Sequence, residues 1–252
     1  IRYALENNIL CFNVESEGEL LTINEEASYL SVTANISIRV NPDVAVESHP
    51  YISTGMKDNK FGITYNNALA LYIKASKLSS LNIIGIDFHI GSQITSIQPY
   101  LDSIKSIRSL VSELKKENIN ITHIDVGGGL GISYEDEDIV SKGDYIKEIT
   151  NSLKDLNLTI LFEPGRSVIG DCGLLVTKLQ YIKESETKNF MIVDASMSEL
   201  LRPPLYDAFH KITPVIKRDT NYKTYDIVGP VCESADFLGK ERLMNSEVDD
   251  FL

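Results

Sequence analysis

The sequence predicts an α/β fold: part of a (β/α)8 barrel, its last five strands, followed by part of a mostly antiparallel β domain. Three observations predict it. Short apolar runs alternate with amphipathic helical periods over the first two thirds of the chain. Three successive runs end in unusual chemistry, "FHIGSQ", "DVGGGLG" and "EPGR", as a barrel that keeps its active site at the C-terminal ends of its strands would have them. After about residue 173 the helical periods stop and strand-like runs follow one another.

In chain order, strands are expected at Cys11–Glu15, Ile36–Asn41, Ile83–Ile90, Ile121–Val126 and Leu158–Phe162, apolar on both faces and hence covered on both. Helical stripes lie between them: Leu101, Ile104, Ile107, Val111 and Leu114 form one; Ile146, Ile149, Leu153 and Leu156 form another. Beyond residue 173, "LLVTKLQYI", "NFMIVDA", "HKITPVIK" and "YKTYDIVGPV" read as strands. The expected domains are 1–173 and 174–252.

Composition narrows the function. The 252 residues are 43% apolar, enough for a sizeable core, and the net charge is 24 − 36 = −12, which disfavours binding to a nucleic-acid backbone. No apolar run reaches the roughly 18 residues of a membrane span. Three cysteines without CxxC spacing point away from a disulfide framework or a zinc site and toward a reducing, cytoplasmic setting. No two histidines have metal-ligand spacing, so no metal is expected. The acidic "EDED" at Glu135–Asp138 lacks the ligand spacing of a calcium loop and reads as solvated.

Each strand-end motif has a plain reading and a chemical one. Gly127, Gly128 and Gly129 either make a tight turn or aim backbone N–H groups at an anion. His89 is either a buried histidine satisfied by the backbone or a flat ring stacked on a flat cofactor, with the Ser92 hydroxyl on a phosphate. Glu163 and Arg166, across Pro164-Gly165, are either a surface ion pair worth about 0–1 kcal/mol or the partners of a charged heteroaromatic ligand: a carboxylate for a ring nitrogen and a guanidinium fork for an acid. Cys232 is a small buried hydrophobe or a thiol acid beside a recognition carboxylate, Glu233.

The motifs "FNVESEGEL", "RVNPDV", "STGMKDNKFGI", "GIDFHIGSQI", "IDVGGGLGISY", "FEPGRSV", "RPPLYDAFH" and "VGPVCESADFL" occur in this order. Together they resemble the diaminopimelate decarboxylase family, pyridoxal-phosphate enzymes of the alanine-racemase-like fold. Departures are small: "LYDAFH" where the family more often reads Leu-Tyr-Gly-Ala-Tyr, and Phe88 before the histidine.

The resemblance implies pyridoxal 5'-phosphate as cofactor and decarboxylation of meso-2,6-diaminopimelate to L-lysine, in lysine biosynthesis. It places Glu163 on the pyridine nitrogen and His89 against the ring. Ser92, Gly127, Gly128, Gly129 and the Gly165-Arg166 turn go to the phosphate. Arg166, Arg202 and Tyr206 go to the remote carboxylate of the substrate, and Glu233 to its remote ammonium. Cys232 is the implied proton donor, supplied across a homodimer interface.

The resemblance starts at the family's fourth strand. The lysine that bonds the cofactor, in a Tyr-Ala-Lys-Ala-Asn-like context, has no counterpart here; Lys57 and Lys60 fall in a non-catalytic loop. The expectation is a chain truncated at both ends, inactive alone and prone to self-association through unpaired strand edges. The alternatives are a non-catalytic remnant that binds phosphate compounds or pairs with a relative, a related ornithine or arginine decarboxylase, and a phosphate-binding barrel enzyme without pyridoxal.

Overall fold

The computed structural model describes residues 1–44, 60–135, 137–219 and 221–252. The expected "STGMKDNKFGI" loop falls largely outside them, with Lys57 and His49. Two compact units are present: residues 1–132 with 138–171, and residues 133–137 with 172–252. No helix among the described residues is long and apolar enough to cross a membrane.

The first unit runs α1 (Arg2–Glu6), β1 (Phe12–Val14), α2 (Glu17–Tyr29), β2 (Ala34–Asn41), β3 (Ile63–Thr64), α3 (Tyr65–Ala75), β4 (Leu81–Asp87), α4 (Gln98–Lys116), β5 (His123–Asp125), α5 (Lys142–Leu153), β6 (Thr159–Leu161) and α6 (Arg166–Ile169). Its sheet has the order β1-β2-β4-β5-β6, all parallel, with the two-residue β3 added along β2. Local signals set the helices. Ser16 caps α2 and Ser141 caps α5, each accepting an N–H three residues on. Pro99 sits in the first turn of α4, and Lys115 and Lys116 in its last.

The register separates the two faces of the sheet. Val14, Ile38, Ile86, Ile124 and Ile160 lie side by side across five strands and belong with the helices to one apolar core. The neighbouring rows point to the opposite face. One is Asn13, Ser37, Gly85, His123 and Thr159; the next is Arg39, Asp87, Asp125 and Leu161. The strands are therefore not apolar on both faces, as the short sequence runs suggested. Period-two alternation is hidden in them because Gly85, Leu161 and the buried polar residues interrupt the charge contrast.

The first predicted helical stripe is the core face of α4, where Ile104, Ile107, Val111 and Leu114 are buried. The second holds at Ile149, Leu153 and Leu156 and departs only at its first position. In α5 the buried positions are Tyr145, Ile149 and Leu153, while Ile146 is exposed. Tyr145 fills the seam because its ring packs edge-on against Tyr100 and Phe162.

The second unit holds a four-stranded sheet, β7 (Leu179–Lys183), β8 (Phe190–Val193), β9 (Lys223–Val228) and β10 (Phe237–Met244), in the order β10-β9-β8-β7, with α7 (Arg202–Tyr206) between β8 and β9. Two pairings are antiparallel and β8–β9 is parallel. Leu179, Met191, Val193, Ile227 and Met244 form the centre of its core. "HKITPVIK" is not a strand: Pro214 has no N–H to donate to a ladder. Its place in the sheet is taken by "FLGKERLM" of β10, which escapes a sequence search because Gly239 and a bulge break its alternation.

Candidate functional site

In the first unit the polar rows put ionisable groups at the C-terminal ends of neighbouring strands. Asp87 and Asp125 are cross-strand partners in register, and Glu163 follows β6 by two positions. One carboxylate oxygen from each of the three lies within 4.8 Å of the others. Arg39, also in register with Asp87, places its Nε 3.9 Å from that carboxylate and bonds Glu15 at 2.6 Å. The guanidinium thus pairs with Glu15 and approaches Asp87, which in turn lies beside Asp125 and Glu163.

Burial and like charge decide the protonation here. Burial, then Asp125, push Asp87 up to about 8, with Arg39 pulling the other way. Asp87 Oδ1 is buried without a hydrogen-bond partner, as a carboxyl that carries the cluster's proton would be. Asp125 is raised by burial and held back by the Gly127 N–H, which donates to its Oδ1 at 2.9 Å. Glu163 is open to solvent, yet partial burial and Asp125 raise it too. The cluster favours any cationic group that approaches it.

Sequence reasoning passed over Asp87, Asp125 and Arg39. The signal was present: "GIDFH" and "HIDVG" both carry Ile-Asp at the end of a strand, so that two acids two rows deep fall beside each other once the strands pair.

The structure brings together the residues expected to hold the cofactor. Gly128 donates its N–H to His89 Nδ1 at 3.2 Å, and Glu163 donates its N–H to the Gly127 carbonyl at 2.9 Å. Gly127 and Gly129 have positive φ. A Cβ on Gly128 would stand 2.1 Å from the Glu163 carbonyl oxygen, and one on Gly129 2.0 Å from that of Gly91. The triple glycine is therefore where three strand-end loops touch backbone to backbone. Two of its N–H groups turn inward, to Asp125 and His89; the Gly129 N–H has no partner in the described backbone ladder.

His89 is half-buried, and burial lowers it to about 4. It is a neutral ring whose Nδ1 accepts from Gly128, so its proton is on Nε2. The backbone bond that satisfies the ring also fixes its plane. Ser92, half-buried, follows Gly91 at the contact with Gly129. Gly165 opens α6 with no atom within 4 Å of its missing Cβ. Arg166 donates to Gln93 Oε1 at 2.9 Å, and Gln93 Nε2 donates to the Ile132 carbonyl at 2.6 Å.

The expected substrate residues other than Arg166 belong to the second unit. Arg202 begins α7, and Tyr206 ends it with its ring 6.0 Å from the guanidinium. Arg202 Nη1 donates to the Tyr134 hydroxyl at 2.7 Å. Cys232 and Glu233 are exposed on the turn that leads to β10. Asp236 orders that turn by accepting from the Val231 N–H at 2.7 Å. None of the three cysteines is in a disulfide. In "EDED", Glu137 is solvent-exposed but ordered, its Oε2 accepting from the N–H groups of Tyr134 and Glu135.

Residues 1–170 match the family model of the pyridoxal-dependent decarboxylases, pyridoxal binding domain. The chain is 48% identical to the diaminopimelate decarboxylase of Pseudomonas aeruginosa over 96% of its length and 58% of that protein. It is 47% identical to that of Vibrio cholerae over its whole length and 61% of that protein. The crystal structure of the Helicobacter pylori diaminopimelate decarboxylase complexed with L-lysine superposes with a TM-score of 0.94, at 41% identity, over 99% of this chain and 63% of that one. The chain thus spans about three fifths of the length of the curated relatives it matches. With the triple glycine, His89 and Glu163 joined at the ends of parallel strands, and residues 1–170 matching the family model of the pyridoxal-binding domain, the chain belongs to the pyridoxal-dependent decarboxylases.

Proposed function

We propose that this chain contributes the cofactor and substrate sites of an enzyme that removes CO2 from meso-2,6-diaminopimelate to give L-lysine. The observation that carries the reading is the Glu163 carboxylate at the mouth of the acidic cluster, one backbone contact away from the triple glycine and His89. A ring with a basic nitrogen and a phosphate suits this donor set. The cluster holds a surplus of negative charge and at least one proton, and the glycine backbone leaves room beside it that any side chain would fill.

Glu163 would hold the ring nitrogen and keep it protonated. His89, uncharged and fixed in plane, would lie against the ring without competing for that proton. Ser92, the Gly127–Gly129 loop and the Gly165-Arg166 turn would receive the phosphate; within the triple glycine, the Gly129 N–H is the donor not already committed to a side chain. When bound, pyridoxal phosphate supplies the sink for the electrons of the bond that breaks. Arg166, Arg202 and Tyr206 would bind the remote carboxylate, and Glu233 the remote ammonium. Cys232 would give a proton to the carbon that has lost CO2, reaching it from a second copy in a homodimer. Residues 1–173 and 174–252 would be the two domains, a division supported by the break between the compact units at Asp171. A reducing, cytoplasmic setting would suit a chain with three cysteines and no CxxC spacing.

The test is substrate choice in the full-length holoenzyme. CO2 release from diaminopimelate should exceed that from ornithine or arginine by orders of magnitude. Arg202→Ala should erase most of that preference. Release from ornithine with none from diaminopimelate would overturn the reading.

A further inference from the structure

The second unit treats Arg202 in an unusual way. Its guanidinium is half-buried, yet among the described residues it forms no ion pair. Its neighbours are uncharged or aromatic instead. Nη1 donates to the Tyr134 hydroxyl at 2.7 Å and lies 3.1 Å from His210 Nε2. The guanidinium carbon lies 5.0 Å from the centre of the Tyr134 ring. The Tyr134 and His210 rings meet edge to face, with centroids 5.3 Å apart. An Arg N–H has no lone pair to offer, so His210 must take this bond as an acceptor, which makes Nε2 bare and the imidazole neutral.

Tyr134 is ordered in turn. Glu137 Oε2 accepts from the Tyr134 N–H at 2.8 Å, the Glu135 N–H at 2.9 Å and the Ser133 hydroxyl at 2.8 Å. These bonds hold the Glu137 carboxyl down to about 2, so it remains an acceptor at any working pH. The chain of support runs from Glu137 through the loop at 133–135 to the Tyr134 hydroxyl and on to Nη1. A guanidinium has donors on two edges. Both bonds use Nη1, which leaves the Nε–Nη2 edge, a fork that fits a carboxylate, outside the cage. A carboxylate in place of Tyr134 or His210 would orient the arginine equally well but would cancel the charge that a ligand must find.

We propose that Tyr134 and His210 are positioning residues that hold Arg202, still carrying its full charge, for the remote carboxylate of the substrate, with Glu137 ordering Tyr134. The inference rests on the reading of Arg202 as that carboxylate's partner. It adds that selectivity is set by the uncharged cage as well as by the arginine itself.

The experiment uses the full-length holoenzyme with Tyr134→Phe, which removes only the hydroxyl, and with His210→Leu and His210→Gln. For diaminopimelate, Tyr134→Phe and His210→Leu should raise KM by about ten-fold or more with kcat changed less than three-fold. For ornithine, which has no remote carboxylate, KM should change less than three-fold. His210→Gln, whose amide oxygen restores an acceptor, should recover most of the loss. Pimelate, a dicarboxylate without amino groups, should weaken as a competitive inhibitor in parallel. Equal losses on both substrates, or Leu and Gln behaving alike, would overturn the proposal while leaving the assigned function standing. A parent holoenzyme with no turnover of diaminopimelate would sink both.

Discussion

The two units handle charge in opposite ways. At the strand ends of the parallel sheet, Asp87, Asp125 and Glu163 cluster together, and Arg39, paired with Glu15, is the guanidinium that approaches them, so the surplus among the described residues is negative. Beside the mixed sheet, one guanidinium, Arg202, sits among aromatic rings with no carboxylate bonded to it among the described residues, and the surplus there is positive. Ionised groups are costly to crowd or to leave unpaired, so each surplus marks a place where a ligand of the other sign is expected. The first suits a protonated ring nitrogen and the second a carboxylate. Each can be tested by removing the charge it relies on.

The largest effect is expected at the negative surplus. Glu163→Gln in the holoenzyme keeps a hydrogen-bonding group but loses the charge that favours a protonated ring nitrogen. The barrier should rise by about 3–4 kcal/mol, the size seen when preorganised electrostatic partners are removed. Cofactor affinity should fall far less. Turnover and cofactor dissociation, measured on the same preparation, separate the two. Unchanged turnover would return Glu163 to a solvent-exposed turn residue and end the contrast between the units.

The same contrast was unevenly legible in the sequence. Parallel strands, their order and the glycine-rich ends were readable because apolar runs and glycines are local signals. Glu163 was readable because a carboxylate after an apolar run is conspicuous. Asp87 and Asp125 were not, since their meaning arises from register: each looks like one polar residue in a run until pairing puts them side by side. Tyr134 and His210 were hidden more deeply. They are 68 and 8 residues from Arg202, and only tertiary structure makes them neighbours. Ile146 misled for a related reason: Tyr145 is equally able to fill the seam, and the aromatic cluster with Tyr100 and Phe162 decides between them.

A second prediction tests whether the triple glycine is a packing joint. Gly128→Ala would push a Cβ to 2.1 Å from the Glu163 carbonyl oxygen, where backbone must move. Overpacking of this kind should cost about 2–3 kcal/mol of stability and should displace the Glu163 loop. Gly165→Ala meets open space and should change stability by less than about 0.5 kcal/mol. Thermal melts of the two variants without cofactor check this. Similar losses in both would mean that the Gly128 contact relaxes freely, and that glycine there serves ligand access alone.

The smallest effect sharpens the account of the negative cluster. Asp87 is raised to about 8 in the folded protein by burial and by Asp125, while Arg39 opposes the shift and Glu163 and Glu15 add to it. Unfolded, an aspartate titrates near 3.9. Between these two values the folded state holds a proton that the unfolded state has lost. Stability must then fall as pH rises from about 4 to about 8, by at most about 1.4 kcal/mol per pH unit for one proton. Asp87→Asn keeps the shape and removes the titration. In urea unfolding of the cofactor-free protein, the variant should gain on the parent steadily from pH 5 to pH 8. A residual slope should remain, because Asp125 and Glu163 are raised by the same neighbours. Parallel pH profiles for variant and parent would mean that Asp87 is ionised at neutral pH, with Arg39 neutralising it. Any proton the cluster stores would then sit on Asp125 or Glu163 instead.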